Sequence, residues 1–440
     1  MSIKSAVIIS NLNKNNEKDT RVDLKEVEGN IKNVREAKPL DTGYAWLVMA
    51  SGILNFLVLF GNFNAFGVFQ EYYLNTVFKN NTAASISWIS TISFTFTLSG
   101  GIMAGPIMSY LGVRKTALLG SILSSLGILL ASFSKTIPML VLTQGLIYGI
   151  GASIIINICL VMPAIWFQKY RHIAISLIAG GGGYGSLILT PTIAKTLKSY
   201  GIAWSFRVLF ILNVVSTGLG VFVFKENGDF KPLRRVIDLK LLKNRLTLLF
   251  CLGGFVIELG YAIPALYFAA SVREIGESRQ TSSNMLLIFS ATSGTGRVLG
   301  GFLSKKFGAN TTLIFTVFAT GILVFALWLP TKIFTMYIVF IVLYGFTCPL
   351  YFSLTSLVIS NVYKKEEVSQ VNGLVYIFYG ISSILGIPLY GVLLDKAGNR
   401  TSYKPLIIFC GSSYLLAGVV LVLQRRYFRK NIESMKTGKI

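Results

Sequence analysis

The chain has 440 residues, of which 53 % are apolar and only 13 % are charged, and its mean hydropathy is +0.64. Soluble globular proteins carry about 25 % charged residues, so this composition excludes a soluble enzyme with a polar surface and a disordered chain. The 41 Lys and Arg residues outnumber the 18 Asp and Glu residues, which in a soluble protein would suggest a nucleic-acid partner. Basic residues beside membrane spans explain the same excess, so the sequence predicts a multi-span membrane protein with the lipid bilayer, and no nucleic acid, as its partner.

The chain begins with a polar segment. Its first 40 residues contain 8 basic and 6 acidic residues among many Asn and Ser residues. This composition favours a disordered tail. It does not fit a cleaved signal peptide, which begins with a short basic stretch and an apolar run.

Twelve apolar runs follow, each with about the 20 residues that one helix needs to cross the hydrocarbon core. Because the runs are continuous rather than alternating, they predict helices and not the strands of a membrane barrel. The predicted spans are residues 45–69, 85–108, 113–134, 137–163, 172–194, 204–224, 246–270, 282–304, 311–330, 333–361, 369–394 and 404–424. The predicted fold class is therefore an all-α membrane protein with twelve transmembrane helices.

The connections between the spans differ in charge. With both chain ends in the cytosol, the cytosolic segments hold 29 Lys and Arg residues and the outer segments hold 11. Positive residues accumulate on the cytosolic side of a membrane, so the pattern predicts cytosolic termini. The plasma membrane is the expected location, and the vacuolar membrane is the alternative.

Glycine and proline spacing indicates an internal repeat. Landmarks of the first half recur in the second at offsets of 196 and 197 residues: Gly105 and Gly112 as Gly301 and Gly308, and Pro191 and Gly201 as Pro388 and Gly398. Chance agreement in a glycine-rich chain is the alternative. Two six-helix repeats are the construction of many secondary transporters.

The repeat defines the domain organisation. We expect a disordered cytosolic tail (1–40), a six-helix bundle (41–224), a basic cytosolic linker (225–245), a second six-helix bundle (246–424) and a cytosolic tail (425–440). The four cysteines all lie in predicted spans, so we expect free thiols and no disulfide.

The sequence contains few residues that could form a catalytic site. It contains one histidine, His172, which leaves no material for a histidine-based metal cluster or a Ser-His-Asp triad. No P-loop motif is present, so ATP-driven pumping by such a loop is excluded. Residues 180–185 satisfy GxGxxG, but they lie in a predicted span without a preceding strand, and close helix packing explains them better than a nucleotide. We expect no enzyme activity, no metal and no cofactor.

Two charges inside predicted spans are the strongest functional signals. Each costs about 2.5–3.5 kcal/mol at a helix centre on insertion scales, so an intramembrane charge indicates function. At about 1.5 Å per residue, Arg297 lies about 12 Å from Lys305, and Glu258 lies about 20 Å from Arg245. We expect Arg297 to contact an anionic solute and Glu258 to handle a proton or contact the solute. A structural ion pair between them, or a permanently protonated carboxyl, is the alternative.

Polar and aromatic residues in the spans form a second set: Asn55, Asn62, Asn64, Gln144, Asn157, Tyr261, Tyr344, Tyr351, Asn372, Tyr376 and Tyr379. Hydrogen bonding between helices explains each of them taken singly. As a set they suit a cavity near the middle of the membrane with surfaces for stacking.

Two motifs resemble those of the monocarboxylate transporter family within the major facilitator superfamily. Residues 41–46 read DTGYAW, which resembles that family's D-G-G-[WY]-G-W motif at the start of the first span. Residues 166–185 read WFQKYRHIAISLIAGGGGYG, which resembles its second signature, and residues 66–72, FGVFQEY, resemble the fungal branch. The resemblance covers about residues 41–425 and implies a fold of two six-helix halves, alternating access and transport of a small organic solute.

The resemblance also assigns residues. The signature and gating residues it implies are Asp41, Gly43, Trp46, Trp166, Phe167, Lys169, Arg171, Gly180 and Gly185, with Arg114 and Lys115 after the second span. Adding the polar set to the arginine of the eighth span gives a predicted solute site of Arg297, Asn64, Asn157, Tyr261, Ser293, Tyr351, Asn372 and Tyr376, with Glu258 as the candidate for proton coupling.

Departures from the family pattern affect the mechanism. Proton-coupled members carry a lysine where Asn64 stands and an aspartate where Ser293 stands, four residues before Arg297. The acidic and basic residues that usually follow the second span are replaced by Ser109 and Tyr110. The proton relay is therefore incomplete, which argues against lactate–proton symport.

The sequence thus predicts a monomeric secondary transporter for a small organic solute, with protons as an open question. A monocarboxylate-like anion and a riboflavin-like heterocycle are both retained, because the fungal branch includes riboflavin uptake. The alternative from another class is a membrane receptor or sensor that does not transport.

Overall fold

The computed structural model describes residues 39–81, 83–228, 239–330, 332–398 and 402–431. These residues form helices and short connections, and no strand occurs among them. The predicted disorder of the N-terminal tail falls on residues that lie almost entirely outside the described ranges, as do most of the basic linker and the end of the C-terminal tail.

Eleven helices of the described chain are long and apolar enough to cross a membrane: Gly43–Tyr72, Ser85–Leu111, Val113–Ala131, Ile137–Trp166, Arg171–Val223, Arg245–Glu274, Asn284–Phe307, Ala309–Trp328, Phe334–Val362, Lys365–Leu394 and Lys404–Phe428. Helices satisfy their own backbone hydrogen bonds, which is the condition for crossing hydrocarbon.

The helix Arg171–Val223 has 53 residues and is broken at Gly201, where φ is +78°. The break separates residues 171–200 from residues 202–223, so the eleven helices provide twelve spans, which we number α1 to α12 in chain order. Gly112 between α2 and α3 and Gly308 between α8 and α9 also have positive φ, at +79° and +87°. These are two of the predicted repeat landmarks, and both make the same tight connection in their own half.

The predicted twelve-helix fold is confirmed, with small shifts of the ends. Most spans extend a few residues beyond the apolar runs, because polar residues continue the first and last turns. The largest shift is in α12, whose helix continues to Asn431 and so includes the first residues assigned to the C-terminal tail. A short helix, Leu239–Lys243, precedes α7 in the linker.

The spans form two halves, α1–α6 and α7–α12, that meet along α5 with α8 and along α2 with α11. Backbones come very close at the first contact, because a Cβ on Gly183 of α5 would overlap Gly294 of α8. At the second contact, a Cβ on Gly373 of α11 would lie 2.7 Å from the Cα of Ile102. Small residues allow this approach where lipid provides no hydrophobic drive for association.

We call the face where α1 begins and α12 ends the proximal face, and the opposite one the distal face. Glu226, just after α6, accepts a hydrogen bond of 2.8 Å from the backbone N–H of Val113 at the proximal end of α3. The four cysteines are buried and unpaired in this structure.

Candidate solute-binding site

The space between the halves narrows to two small adjoining cavities. The first is lined by Phe56, Phe60, Leu160, Ala179, Arg297, Phe352, Ser353 and Tyr376, and the second by Leu98, Gly101, Ser153, Ile156, Asn157, Leu160 and Tyr376. Each offers about 10 Å³ to the centre of a water-sized sphere, which is room for one water molecule. Neither of these two cavities has room for an organic solute.

The two halves contribute different chemistry to the first cavity. The N-terminal half supplies the apolar side chains of Phe56, Phe60, Leu160 and Ala179. The C-terminal half supplies the guanidinium of Arg297, the hydroxyls of Ser353 and Tyr376, and the ring of Phe352. One wall is thus suited to contact with a flat apolar surface, and the other to binding a polar or charged group.

Arg297 is the charged group at this cavity. Its side chain is 1 % exposed, and neither of its terminal nitrogens has a hydrogen-bond partner among the described residues. The guanidinium carbon lies 5.5 Å from the centroid of the Phe60 ring, which is cation–π distance. A buried cation without a hydrogen-bond acceptor is costly, so this arrangement favours a site that receives an anionic or carbonyl group.

Glu258 lies on α7 and is 3 % exposed. Its Oε1 accepts a hydrogen bond of 3.3 Å from Ser383 of α11, and its Oε2 has no partner among the described residues. The ion pairs of these residues do not include one between Glu258 and Arg297, so the proposed structural pair does not form here. Tyr261 and Tyr376 interact electrostatically with both charges.

Most of the predicted tyrosines and Asn372 gather around these charges. The Tyr261 ring packs edge-on against Phe352 at 4.8 Å, and Tyr376 lines both cavities. Tyr351 and Asn372 are buried, and the Tyr351 hydroxyl and the Asn372 amide have no hydrogen-bond partner among the described residues. The structure thus brings two predicted residues, Tyr261 and Tyr376, close to Arg297 and Glu258.

The other three predicted residues behave differently. Asn157 lines the second cavity, but its amide is paired across the halves: it donates to the Ser369 carbonyl at 3.2 Å and accepts from the Ser369 hydroxyl at 2.7 Å. Ser293 is buried on α8, and Asn64 is partly exposed on α1. Neither of these two lines the described cavities.

The two signature motifs meet at the proximal face, in an arrangement that we call the Asp41 clasp. The Asp41 carboxylate accepts hydrogen bonds of 3.0–3.3 Å from the backbone N–H groups of Gln168, Lys169 and Tyr170, just before α5. Its own N–H donates to the Trp166 carbonyl at 3.0 Å. Asp41 has φ +59°, a left-handed conformation that Asp tolerates better than most residues. A carboxylate at a helix N-terminus is favoured by the helix dipole.

Aromatic packing fills the rest of the clasp. Trp46 contacts Phe167 and Tyr170 at ring distances of 5.4 and 5.5 Å. The Trp166 indole donates to the Lys225 carbonyl at 3.0 Å, which ties the end of α6 to the same cluster. The aromatic residues of the two motifs therefore pack against each other as one unit.

Arg171 connects this unit to the other half. Its Nε donates to the Phe167 carbonyl at 3.2 Å within the clasp. Its Nη1 donates across the interface to the Ser360 carbonyl at 2.9 Å and reaches Asn361 Oδ1 at 3.4 Å, at the proximal end of α10. Nearby, His172 and Ser304 share a hydrogen bond of 3.2 Å between α5 and α8. These contacts hold the halves together at the proximal face.

The remaining signature residues have packing roles. A Cβ on Gly185 would overlap the Leu57 carbonyl of α1, and a Cβ on Gly180 would lie 3.2 Å from the Gly294 carbonyl oxygen of α8, so the GxGxxG stretch serves helix contact. Arg114 lies over the Phe222 ring at 5.6 Å, and Lys169 lies over the Tyr170 ring at 5.3 Å. Gly43 has open space around it, and Lys115 is exposed.

Sequence reasoning missed Phe56, Phe60, Phe352 and Ser353, which line the cavity. The three phenylalanines could not be singled out, because apolar residues within apolar spans carry no signal of which face they occupy. Ser383, the partner of Glu258, had a signal, because it continues a regular spacing of polar residues along α11.

Two related bundles of six helices, with a buried charged site and a narrow cavity between them, are the construction of a secondary transporter. The family comparison agrees. The profile described as Major Facilitator Superfamily matches residues 51–257 and 250–438, and the chain belongs to this superfamily. Members and structural neighbours of this kind are transporters of small solutes and not enzymes.

Curated relatives include fungal proteins of similar length. The chain is 27 % identical over 392 residues to the protein named MFS transporter asaE of Aspergillus flavus, which is 88 % of each chain. It is 25 % identical over 410 residues to the Riboflavin transporter MCH5 of Saccharomyces cerevisiae, covering 87 % of this chain and 78 % of the relative. Among solved structures, the proton:xylose symporter XylE superposes with a TM-score of 0.69 at 14 % identity, covering 88 % of this chain and 96 % of that one. This likeness shows the shared fold.

Proposed function

We propose that this transporter carries a small organic solute with an anionic or carbonyl group and a flat ring, by alternating access between the two halves. The observation that carries the proposal is Arg297, a buried guanidinium that lines an aromatic-walled cavity and whose two terminal nitrogens have no well-formed hydrogen bond among the described residues. The guanidinium binds the polar group of the solute, and Phe60 and Phe352 contact the ring.

Both solute classes predicted from the sequence fit this arrangement. A monocarboxylate-like anion uses the guanidinium, and a riboflavin-like heterocycle also uses the aromatic wall. The heterocycle is supported by the relative named a riboflavin transporter and by the four aromatic rings of the first cavity. We therefore rank the heterocycle first and place the chain in the monocarboxylate transporter-like branch on its two signature motifs.

The transport cycle follows from the contacts of the proximal face. Solute entering from the distal side separates the cavity walls, and release at the proximal face requires the Arg171, His172 and Asn157 contacts to open. The charge distribution supports assignment of the proximal face to the cytosol, and the plasma membrane is the proposed location. The proposed functional unit is the monomer, because each chain contains both halves of the site.

The test is uptake by a yeast strain that lacks its own carriers and expresses this chain. Labelled riboflavin and a panel of monocarboxylates are offered at acidic and neutral pH, with and without a protonophore. We expect uptake in the wild type, and we expect Arg297→Gln to abolish it with the protein still at the cell surface. Arg207→Gln is the matched control, because Arg207 lies over Phe133 and Trp204, away from the cavity.

Each outcome has a defined meaning. Uptake that is unchanged in Arg297→Gln removes this residue from the site. Binding of a panel member to the purified wild-type protein, without flux in proteoliposomes, supports the receptor alternative.

A further inference from the structure

The contact between α10 and α11 concentrates buried polar atoms that make no well-formed hydrogen bond to the protein, although the Tyr351 hydroxyl lies near Thr355 and Tyr379. They belong to Tyr351, Thr355 and Ser356 of α10 and to Asn372 and Tyr379 of α11, and all five residues are at most 2 % exposed. Buried polar groups nearly always have a hydrogen-bond partner, either protein or water. Several such groups in one place make a polar site in which water satisfies them.

A regular stripe of polar side chains runs along α11 beside these atoms. Ser369, Asn372, Tyr376, Tyr379 and Ser383 follow one another at spacings of three and four residues, so they occupy one face of the helix. From the first to the last serine the stripe is about 21 Å long at 1.5 Å per residue. That length is about two thirds of the hydrocarbon thickness. We call these five residues the α11 stripe.

The α11 stripe connects two places already described. At its inner end, Ser383 donates to Glu258. At its proximal end, Ser369 exchanges hydrogen bonds with Asn157. Tyr376 in the middle lines both cavities, so the stripe passes the solute site on its way.

We propose that the seam between α10 and α11 is a hydrated path that carries protons between Glu258 and the proximal face. Only the coupling of this proton path to solute transport rests on the proposed function. When Glu258 releases its proton, the carboxyl O–H bond breaks as an O–H bond forms on the nearest water. One proton then leaves the last water at the proximal end, so no net charge accumulates along the seam.

The groups around Glu258 suit this role. Tyr261 from its own helix and Tyr376, Tyr379 and Tyr390 from α11 interact electrostatically with it. Each carries a hydroxyl that can both donate and accept, and the Tyr390 hydroxyl donates to the Leu259 carbonyl at 2.9 Å. Arg297, the buried cation, is not within ion-pair distance of Glu258.

At the proximal end, Glu366 and Glu367 lie in the first turn of α11 and are partly exposed. Carboxylates at the mouth of a path attract protons from solution. The path thus has an acceptor at its inner end and a proton-collecting surface at its outer end.

The hydration is tested on the purified full-length protein without any solute. Hydroxyl radicals generated by X-ray radiolysis of bound water label adjacent tyrosines, and mass spectrometry reads the positions. We expect Tyr351 and Tyr379 to be labelled several times faster than Tyr344 and Tyr414. The latter pair is equally buried, but its hydroxyls bond each other at 3.0 Å. Equal slow labelling of both pairs overturns the hydrated path.

The proton assignment is tested in proteoliposomes that enclose a pH-sensitive dye, after an acid pulse with and without solute. We expect Glu258→Gln to stop internal acidification and Ser383→Ala to slow it. Ser382→Ala is the matched control, because that neighbouring hydroxyl bonds the Phe255 carbonyl at 2.8 Å instead. Asn372→Leu, which removes the unpartnered amide, should slow both the proton flux and the labelling of Tyr379.

The outcomes separate the two proposals. The proton assignment is overturned if the seam tyrosines are labelled but Glu258→Gln does not change the proton flux. It is also overturned if they are labelled and the wild type shows no proton flux. Solute uptake that still depends on Arg297 then leaves the proposed function intact. Loss of Arg297 dependence, with Glu258-dependent proton flux retained, overturns the solute site and leaves the path.

Discussion

Replacing Arg171 tests whether the clasp controls closure of the proximal face. The guanidinium is held by the Phe167 carbonyl on one side and donates to the Ser360 carbonyl on the other, at 3.2 and 2.9 Å. Glutamine is too short to span the two halves. Lysine keeps the charge and the reach but lacks the rigid fork that places two separate nitrogens on the Phe167 and Ser360 carbonyls.

The magnitude follows from the bonds that cross the interface. A hydrogen bond from a charged donor contributes about 1.5–3 kcal/mol. Because Arg171 is partly exposed, we take about 1.5 kcal/mol for its hydrogen bond to Ser360. The contact with Asn361 at 3.4 Å is too long to add much. Loss of about 1.5 kcal/mol changes the ratio of closed to open proximal faces about tenfold. We expect Arg171→Gln to show this full effect and Arg171→Lys part of it.

The assay is a distance distribution by electron paramagnetic resonance in nanodiscs. Spin labels replace Leu111 and Phe307, which are exposed at the proximal ends of α2 and α8, while the native cysteines are buried. We expect a new long-distance population in Arg171→Gln. Arg245→Gln is the control, since it removes an exposed charge at the proximal end of α7. Identical distributions in the wild type and Arg171→Gln would refute the reasoning.

Three further predictions concern other parts of the molecule. Glu258→Gln should flatten the pH dependence of uptake, measured at acidic and neutral pH, and persistence of that dependence places the proton site elsewhere. Gly183→Ala should destabilise the protein by about 1–3 kcal/mol through overlap with Gly294, seen as a lower melting temperature, whereas Gly67→Ala, with open space around it, should not. Asp41→Asn should lower the stability by about 0.3–1 kcal/mol, because the interaction of the carboxylate with the helix dipole is lost. Asp41→Ala should lower it further, because alanine has no acceptor and tolerates φ +59° poorly. Equal melting temperatures for the two variants would contradict this.

Much of the fold was readable because a membrane imposes simple rules. Helices must be about as long as the hydrocarbon is thick, so the apolar runs located all twelve spans. The repeat landmarks Gly112 and Gly308 marked tight turns that require positive φ. The two signature motifs were found as separate stretches of sequence. The structure explains why they occur together, because the Asp41 carboxylate of the first motif accepts hydrogen bonds from the backbone of the second.

The site was only partly readable, because depth along a helix can be counted but rotation about its axis cannot. The sequence placed Arg297 and Glu258 within reach of an ion pair, yet they share only the neighbours Tyr261 and Tyr376 and form no ion pair with each other. Asn157 and Asn64 looked alike in sequence, and one pairs across the halves while the other stays outside the cavities. The spacing of polar residues along α11 did contain rotational information, since positions three and four apart share a face.

The backbone-to-backbone contact of Gly183 with Gly294 has a consequence for how such carriers diversify. In the proposed mechanism, motion of the halves depends on the fit of two backbones, and cargo recognition depends on side chains such as Arg297, three residues further along the same helix. Substitutions in the cavity lining therefore leave this contact untouched, whereas a side chain at Gly183 would overlap Gly294. One inherited mechanical core can thus acquire new cargoes through changes confined to the cavity lining.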